Sequence, residues 1–326
     1  MIAVNNHSDI CTCGEHLILN GKPRQYDPTR TVSLRNAFVT QMDRRFNELT
    51  RVVRKAVVDQ DCFGLNPRIT TFQMQVPAKK AFAFGTSQEK IAEFMAWLQE
   101  QVDKGILTIT EMRQIGQAVR SEWTDIYIED SYKRGVIRAR YEMIRAGLGI
   151  PSATIAGVGA IMAASPMHID RVGLLFIRTY NDLKGITDAM SSQISRVLAQ
   201  GMADGDGPRL LARKLVDTIN GADGTLGITD TLGRFIPAKR RAEMLARTEI
   251  IRAHHLAMIQ EYRNWGVVGV HVKAEWVTAG DGRVCAQCEA MEGRIFTLDE
   301  IEPLIPLHPQ CRCIALPHIK ELEKYK

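Results

Sequence analysis

Toward the end of the chain, four cysteines and a histidine fall within 29 residues of one another: Cys285-Ala-Gln-Cys288, nineteen further residues, then His308-Pro-Gln-Cys311-Arg-Cys313. The other cysteines are Cys11, Cys13 and Cys62. Thiolate sulfur and imidazole nitrogen are the donors of four-coordinate zinc, and a C-x-x-C turn joined by a second ligand pair on a returning hairpin supplies a closed shell. The competing chemistry is a disulfide framework. It needs an oxidising compartment, and Met1 is followed by Asn5, Asn6, His7, Ser8 and Asp9, with no apolar run to direct secretion. The spacing therefore predicts Zn2+ on Cys285, Cys288 and His308, with either Cys311 or Cys313 as the fourth ligand. Those two cysteines share one strand face, so either can point at the ion.

A catalytic zinc would keep three protein ligands, an open place for water and a carboxylate to move protons. Here five donors compete for four places, no His-Glu-x-x-His run exists, and His254 and His255 fall on different sides of a helix. Asp281 and Glu289 are near in sequence without an assignable proton-transfer role. The expectation is a structural site, not an enzyme. A zinc-dependent nucleic-acid-binding protein, or a nuclease or hydrolase, is the alternative. Near the start, Cys11, Cys13 and His16 with His7 form a weaker candidate set whose spacing is poor.

The elements that must position the main cluster are legible upstream of it. Pro237 opens a helix with Ile251, His255, Met258, Tyr262 and Trp265 on its apolar side, closed by Gly266, and His255 reads as a core histidine. Arg247, Glu249 and Arg252 lie on the other side. Val270, Val272, Ala274 and Trp276 then alternate as a strand, Gly280-Asp-Gly282 turns into the C-x-x-C knuckle, and Gly293 to Phe296 fits a second short strand. Few aliphatics occur here, so a metal would contribute much of the folding energy.

The rest of the chain is mainly helical by its periodicity. Leu34, Phe38, Met42, Phe46, Leu49, Val53 and Ala56 form one stripe, and Thr70 to Val76 alternates as a strand. Helices follow from Ser87 to Gly105 (Ile91, Met95, Leu98 and Val102 inward), from Thr110 through Val119, and from Ser121 to Ala146 with Ile128, Tyr132, Val136, Ala139 and Met143 inward. After Pro166 a stripe runs through Ile169, Val172, Phe176, Tyr180, Leu183, Ile186, Met190, Ile194 and Val197, more than one neighbouring helix would cover. Pro208 opens a helix burying Leu211, Leu215 and Ile219, and a Gly-rich loop follows.

Four regions result: an irregular arm 1–29, a basic helical region 30–147, an uncharged connector with the long helix 148–236, and a cysteine-bearing module 237–326. The fold class expected is α+β, a mainly α-helical, elongated N-terminal part with a small β-rich, zinc-stapled C-terminal module.

Thr248-Glu249 in a long helix, Trp276, Asp281-Gly-Arg-Val-Cys-Ala-Gln-Cys, Gly293-Arg-Ile-Phe296 and His-Pro-Gln-Cys-Arg-Cys together resemble the phage Mu F-like head morphogenesis family. The close resemblance covers about Ala242 to Pro317. It implies a minor head (minor capsid) protein acting at or near the portal vertex, present in the virion head and assembled in the host cytoplasm. The implied partners are the portal protein and the major capsid or scaffold proteins.

Composition narrows the remaining choices. A net charge of +5 permits nucleic-acid contact without requiring it. Seven basic residues against two acidic between Arg30 and Lys55, and five against one between Lys133 and Gly147, could track double-stranded DNA by charge. The uncharged stretch from Ala146 to Ile169 is built from Gly, Ala and Ser with Pro151 and Pro166, so its drive toward a membrane is weak.

Overall fold

A computed structural model of the chain describes residues 18–19, 22–23, 27–65, 87–108, 123–148, 165–221, 236–267 and 271–319. The Cys11, Cys13, His16 and His7 set, the strand over Thr70 to Val76, the helix opened by Thr110, most of the uncharged stretch and the Gly-rich loop lie outside these residues. The fold is mainly helical with a small antiparallel sheet near the C-terminus. The chain divides into two compact units: residues 1–36, 127–172 and 248–326 form the first, and residues 37–126 and 173–247 the second.

After a two-residue antiparallel pair, β1 (Ile18–Leu19) with β2 (Lys22–Pro23), helix α1 runs Val32–Arg54 and continues as a π-helical turn over Lys55–Asp59. All seven residues of the stripe read from sequence are buried. In the second unit, α1 meets α2 (Ser87–Gly105), where Phe94, Leu98 and Val102 are buried while Ile91 and Met95 are only half-buried. The larger Phe94 takes the inward place expected of Met95, its ring tilted against that of Phe63 with centroids 5.1 Å apart. Trp123 meets Phe38 edge-on at 5.6 Å and donates from Nε1 to the Ile106 carbonyl at 2.8 Å.

Helix α3 (Asp125–Arg145) buries Ile128, Tyr132, Val136, Ala139 and Met143, as its periodicity requires. Helix α4 runs Pro166–Ala203, about 57 Å at ~1.5 Å per residue. Its inward face is rotated from the expected one. Val172, Leu183, Met190 and Ile194 are buried as read, but Leu175 and Thr179 go inward where Phe176 and Tyr180 were expected, and Met167, Leu174 and Ile177 stand exposed. Helix α5 (Pro208–Asn220) has Pro208 in its first turn and buries Leu211, Leu215 and Ile219.

Helix α6 (Ala238–Val267) departs most from its sequence reading. Between Glu249 and Tyr262 only Arg252 and Leu256 are not buried, so the helix has no outer face there. Small residues permit this. In the first unit a Cβ on Gly135 of α3 would overlap the His254 carbonyl oxygen and lie 2.7 Å from the Ala257 Cβ, and Ser131 Oγ donates to the Ile250 carbonyl at 2.6 Å. The two helix backbones are thus in near contact.

That closeness brings buried polar groups together, and they satisfy one another. Tyr132 Oη lies 2.9 Å from His168 Nδ1, Arg140 Nε donates to Glu261 Oε1 at 2.6 Å, and Trp265 Nε1 donates to the same oxygen at 3.0 Å. His168 Nε2 lies 3.4 Å from Glu261 Oε2.

The sheet has the order β4-β3-β5: β3 is Lys273–Val277, β4 Ile295–Phe296 and β5 Ile314–His318, all antiparallel. Ala274 pairs with Phe296 and with Pro317, and Trp276 with Ala315. Ala274 and Trp276 point inward, joining Met143 of α3 and Ile251, Met258 and Tyr262 of α6 in one core. Cys288, Cys311 and Cys313 belong to that same core.

Candidate metal centre

Two short elements set up the cluster. After Val277, Gly280 at φ 61 turns the chain back, and Cys285 caps α7 (Ala286–Glu289) with its sulfur accepting the Cys288 backbone N–H at 3.4 Å. A helical turn places residues i and i+3 on one side, so both thiols of the C-x-x-C pair point the same way. The chain then returns through β4 and α8 (Leu298–Ile301), whose Thr297 and Glu300 form a capping box. A second turn follows: the Cys311 N–H donates to the His308 carbonyl at 3.1 Å, with Gln310 at φ 64.

All five predicted donors converge. Cys285, Cys288 and His308 have their donor atoms within 4.8 Å of one another, and so do Cys288, Cys311 and Cys313; Cys288 belongs to both groups. His308 Nε2 lies 3.2 Å from each of the sulfurs of Cys285 and Cys288, and the Cys288 and Cys311 sulfurs are 3.9 Å apart. The tautomer of His308 is set by its other nitrogen. Nδ1 lies 2.9 Å from the Pro309 carbonyl, which can only accept, so Nδ1 carries the proton and the Nε2 lone pair faces the sulfurs.

The electrostatics of these thiols suit a cation. Cys288, Cys311 and Cys313 are each at most 3% exposed. Burial pushes the Cys288 thiol up to about 12, a hydrogen bond with Cys313 pulls Cys311 down to about 5, and the same contact pushes Cys313 up. The Cys288 N–H lowers Cys285. Neighbouring sulfurs cannot all ionise in a buried place unless a positive ion shares their charge. Donor types, distances and burial together fit a metal of the zinc class.

Three contacts around the cluster have weak sequence signals. Arg312 grips Asp281 with both nitrogens, Nη1 to Oδ2 at 2.6 Å and Nη2 to Oδ1 at 2.5 Å, and this holds the Asp281 carboxyl well below its usual range. The fork ties the two halves of the knuckle together, giving Asp281 a positioning role. Thr248 Oγ1 accepts the Gln310 N–H at 3.1 Å, anchoring the second turn to α6. His255 is a core histidine as read, donating from Nε2 to the Ile301 carbonyl at 3.2 Å.

Residues 192–316 match the family model described as Phage Mu protein F like protein. This stretch is phage Mu F-like. No curated protein and no solved structure matches the chain. The Mu F-like stretch contains every cluster donor, both turns, Thr248 and the Asp281–Arg312 fork.

The basic clusters fare differently. In α3, Lys133 pairs with Glu129, Arg134 with Asp130 at 3.0 Å, Arg138 and Arg145 with Glu142 at 2.7 and 3.5 Å, and Arg140 with Glu261. Acids one helical turn away, together with Glu261, absorb the charge that a count between 133 and 147 leaves unbalanced. In α1, Arg35 is buried against Asp27, Arg45 lies 4.2 Å over the Trp123 ring and Arg51 pairs with Glu48, while Arg44, Arg54 and Lys55 are exposed. Among the described residues no helix is long and apolar enough to cross a membrane.

Proposed function

We propose that this protein is a phage minor head protein acting structurally in head morphogenesis, at or near the portal vertex, with residues 237–326 as a module stapled by one zinc ion. Convergence of four thiols and one imidazole inside the Mu F-like stretch carries the reading. Bound there, zinc would supply structural cross-linking: Cys285, Cys288 and His308 hold it with one of Cys311 and Cys313, joining α7 to the turn before β5. The surplus of donors closes the shell to water, which disfavours a hydrolase. Docking on a portal or shell protein falls to the helical part, where Leu174 and Ile177 of α4 are 67% and 61% exposed.

Proteomics and imaging of purified phage particles, with elemental analysis of the chain isolated under reducing conditions, test this. The expected result is a few copies per particle beside the portal and one zinc per chain. Absence from particles removes the head assignment, and a chain without zinc removes the staple.

A further inference from the structure

Five donors surround a site that takes four, and the geometry points to Cys285, Cys288, His308 and Cys311 as the ligands, with Cys313 beside the ligand shell and outside it. This assignment rests on the zinc reading above. Three observations carry it.

The first is the paired turn. Cys285 to Cys288 and His308 to Cys311 are both four-residue turns closed by the fourth residue's N–H, on Cys285 Sγ in one and on the His308 carbonyl in the other. Each turn carries a donor residue at its first and last position, so the two supply four donors from two units of the same length. Cys313 lies outside both.

The second is distance. Zinc–sulfur bonds of about 2.3 Å and zinc–nitrogen bonds of about 2.0 Å give tetrahedron edges of about 3.8 Å between sulfurs and about 3.6 Å from sulfur to nitrogen. The Cys288–Cys311 separation of 3.9 Å is already such an edge, the two sulfur–nitrogen separations of 3.2 Å need only open slightly, and Cys311, grouped within 4.8 Å with Cys288 and not with Cys285 or His308, is the donor that must swing inward.

The third is freedom to adjust. Cys311 sits in a turn, whereas Cys313 directly precedes Ile314, which is held in register against Val277. Drawing Cys313 onto the ion would disturb the start of β5. Cys313 lies beside the shell instead, its sulfur within 4.8 Å of those of Cys288 and Cys311.

The test uses the full chain purified under reducing conditions. X-ray absorption at the zinc edge of wild type should count three sulfurs and one nitrogen. Cys311→Ser should lose stoichiometric zinc, whereas Cys313→Ser and Cys313→Ala should each retain one zinc per chain. Four sulfurs without nitrogen in wild type, or zinc lost from Cys313→Ser and kept by Cys311→Ser, overturns the assignment while leaving the zinc staple standing. Equal loss in the two serine variants also overturns it. Wild type without zinc takes down the staple and this assignment together.

Discussion

The C-terminal segment 271–319 and the helices of the second unit solve the same problem with different materials. Around α1 and α2, Phe38, Met42, Phe46, Phe94 and Leu98 are fully buried, and hydrophobic burial at about 25 cal/mol per Å2 suffices to hold long helices together. In 271–319 the strands are short, and three of the buried side chains are cysteines. The contrast teaches that 271–319 sets thiols among Trp276, Ile301, Ile305 and Ile314 in a core shared with α3 and α6, and that the proposed zinc cross-link would make local stability conditional on an ion.

The largest expected effect breaks that contrast directly. Cys288→Ser, or a strong chelator, should release zinc and unfold 271–319, because structural zinc contributes on the order of 10 kcal/mol to small modules. Hydrogen exchange should rise across 271–319 and leave α1 and α2 protected. Equal loss of protection in both regions would mean that the segment's stability is not separately tied to the metal.

Acid should also act on the first unit. Burial pushes His254 down from 6.5 to about 3 and His255 to about 4. Below pH 6.5 the unfolded chain takes up protons that the folded one refuses, so stability is fully present above 6.5 and is lost as pH falls toward 4 and then 3. The slope is about 1.4 kcal/mol per pH unit for each group. Acid would also protonate the proposed zinc ligands. The measurement is therefore the difference in slope between wild type and His255→Leu, expected to be one group's worth between pH 6.5 and about 4.

The helix crossing gives a smaller and cleaner effect. Gly135→Ala forces a methyl into the His254 carbonyl and should cost about 1–3 kcal/mol in denaturant unfolding. Gly185→Ala, in an α4 position with nothing within 4 Å, should instead stabilise by up to about 1 kcal/mol. Equal effects at the two glycines would contradict the close approach of α3 and α6.

These contrasts show what was readable beforehand. The stripe of α1 stood in the sequence because that helix buries one side and leaves the other wet, that of α3 because its apolar residues keep helical spacing although only Ile126 and Arg145 are exposed along it, and the five donors stood there because their spacing encodes two turns. The all-round burial of α6 did not, since alanines, histidines and paired carboxylates fill its inner faces and carry no periodic apolar signal. Thr179 hides the true face of α4 for the same reason. Asp281 and Arg312 were visible as residues, but only the fold places them face to face.

The smallest expected effect concerns nucleic acid, and it separates two basic clusters that look alike in sequence. On α3 every cation from Lys133 to Arg145 faces a carboxylate, so phosphates would have to compete with ion pairs already formed. On α1, Arg44, Arg54 and Lys55 are exposed, and duplex DNA at low salt should find them. Each cation engaged on a phosphate adds about 0.9 to the slope of log affinity against log salt, so Arg44→Glu with Arg54→Glu should flatten that slope by about two. Lys133→Glu with Arg134→Glu should leave it unchanged. Arg45→Glu is the internal control: it removes the stack on Trp123 and the bond to the Gly105 carbonyl, and so should lower stability before it lowers affinity. Binding that is absent at low salt, or that falls equally for the α1 and α3 variants, would return the α1 cluster to a solvated helix face.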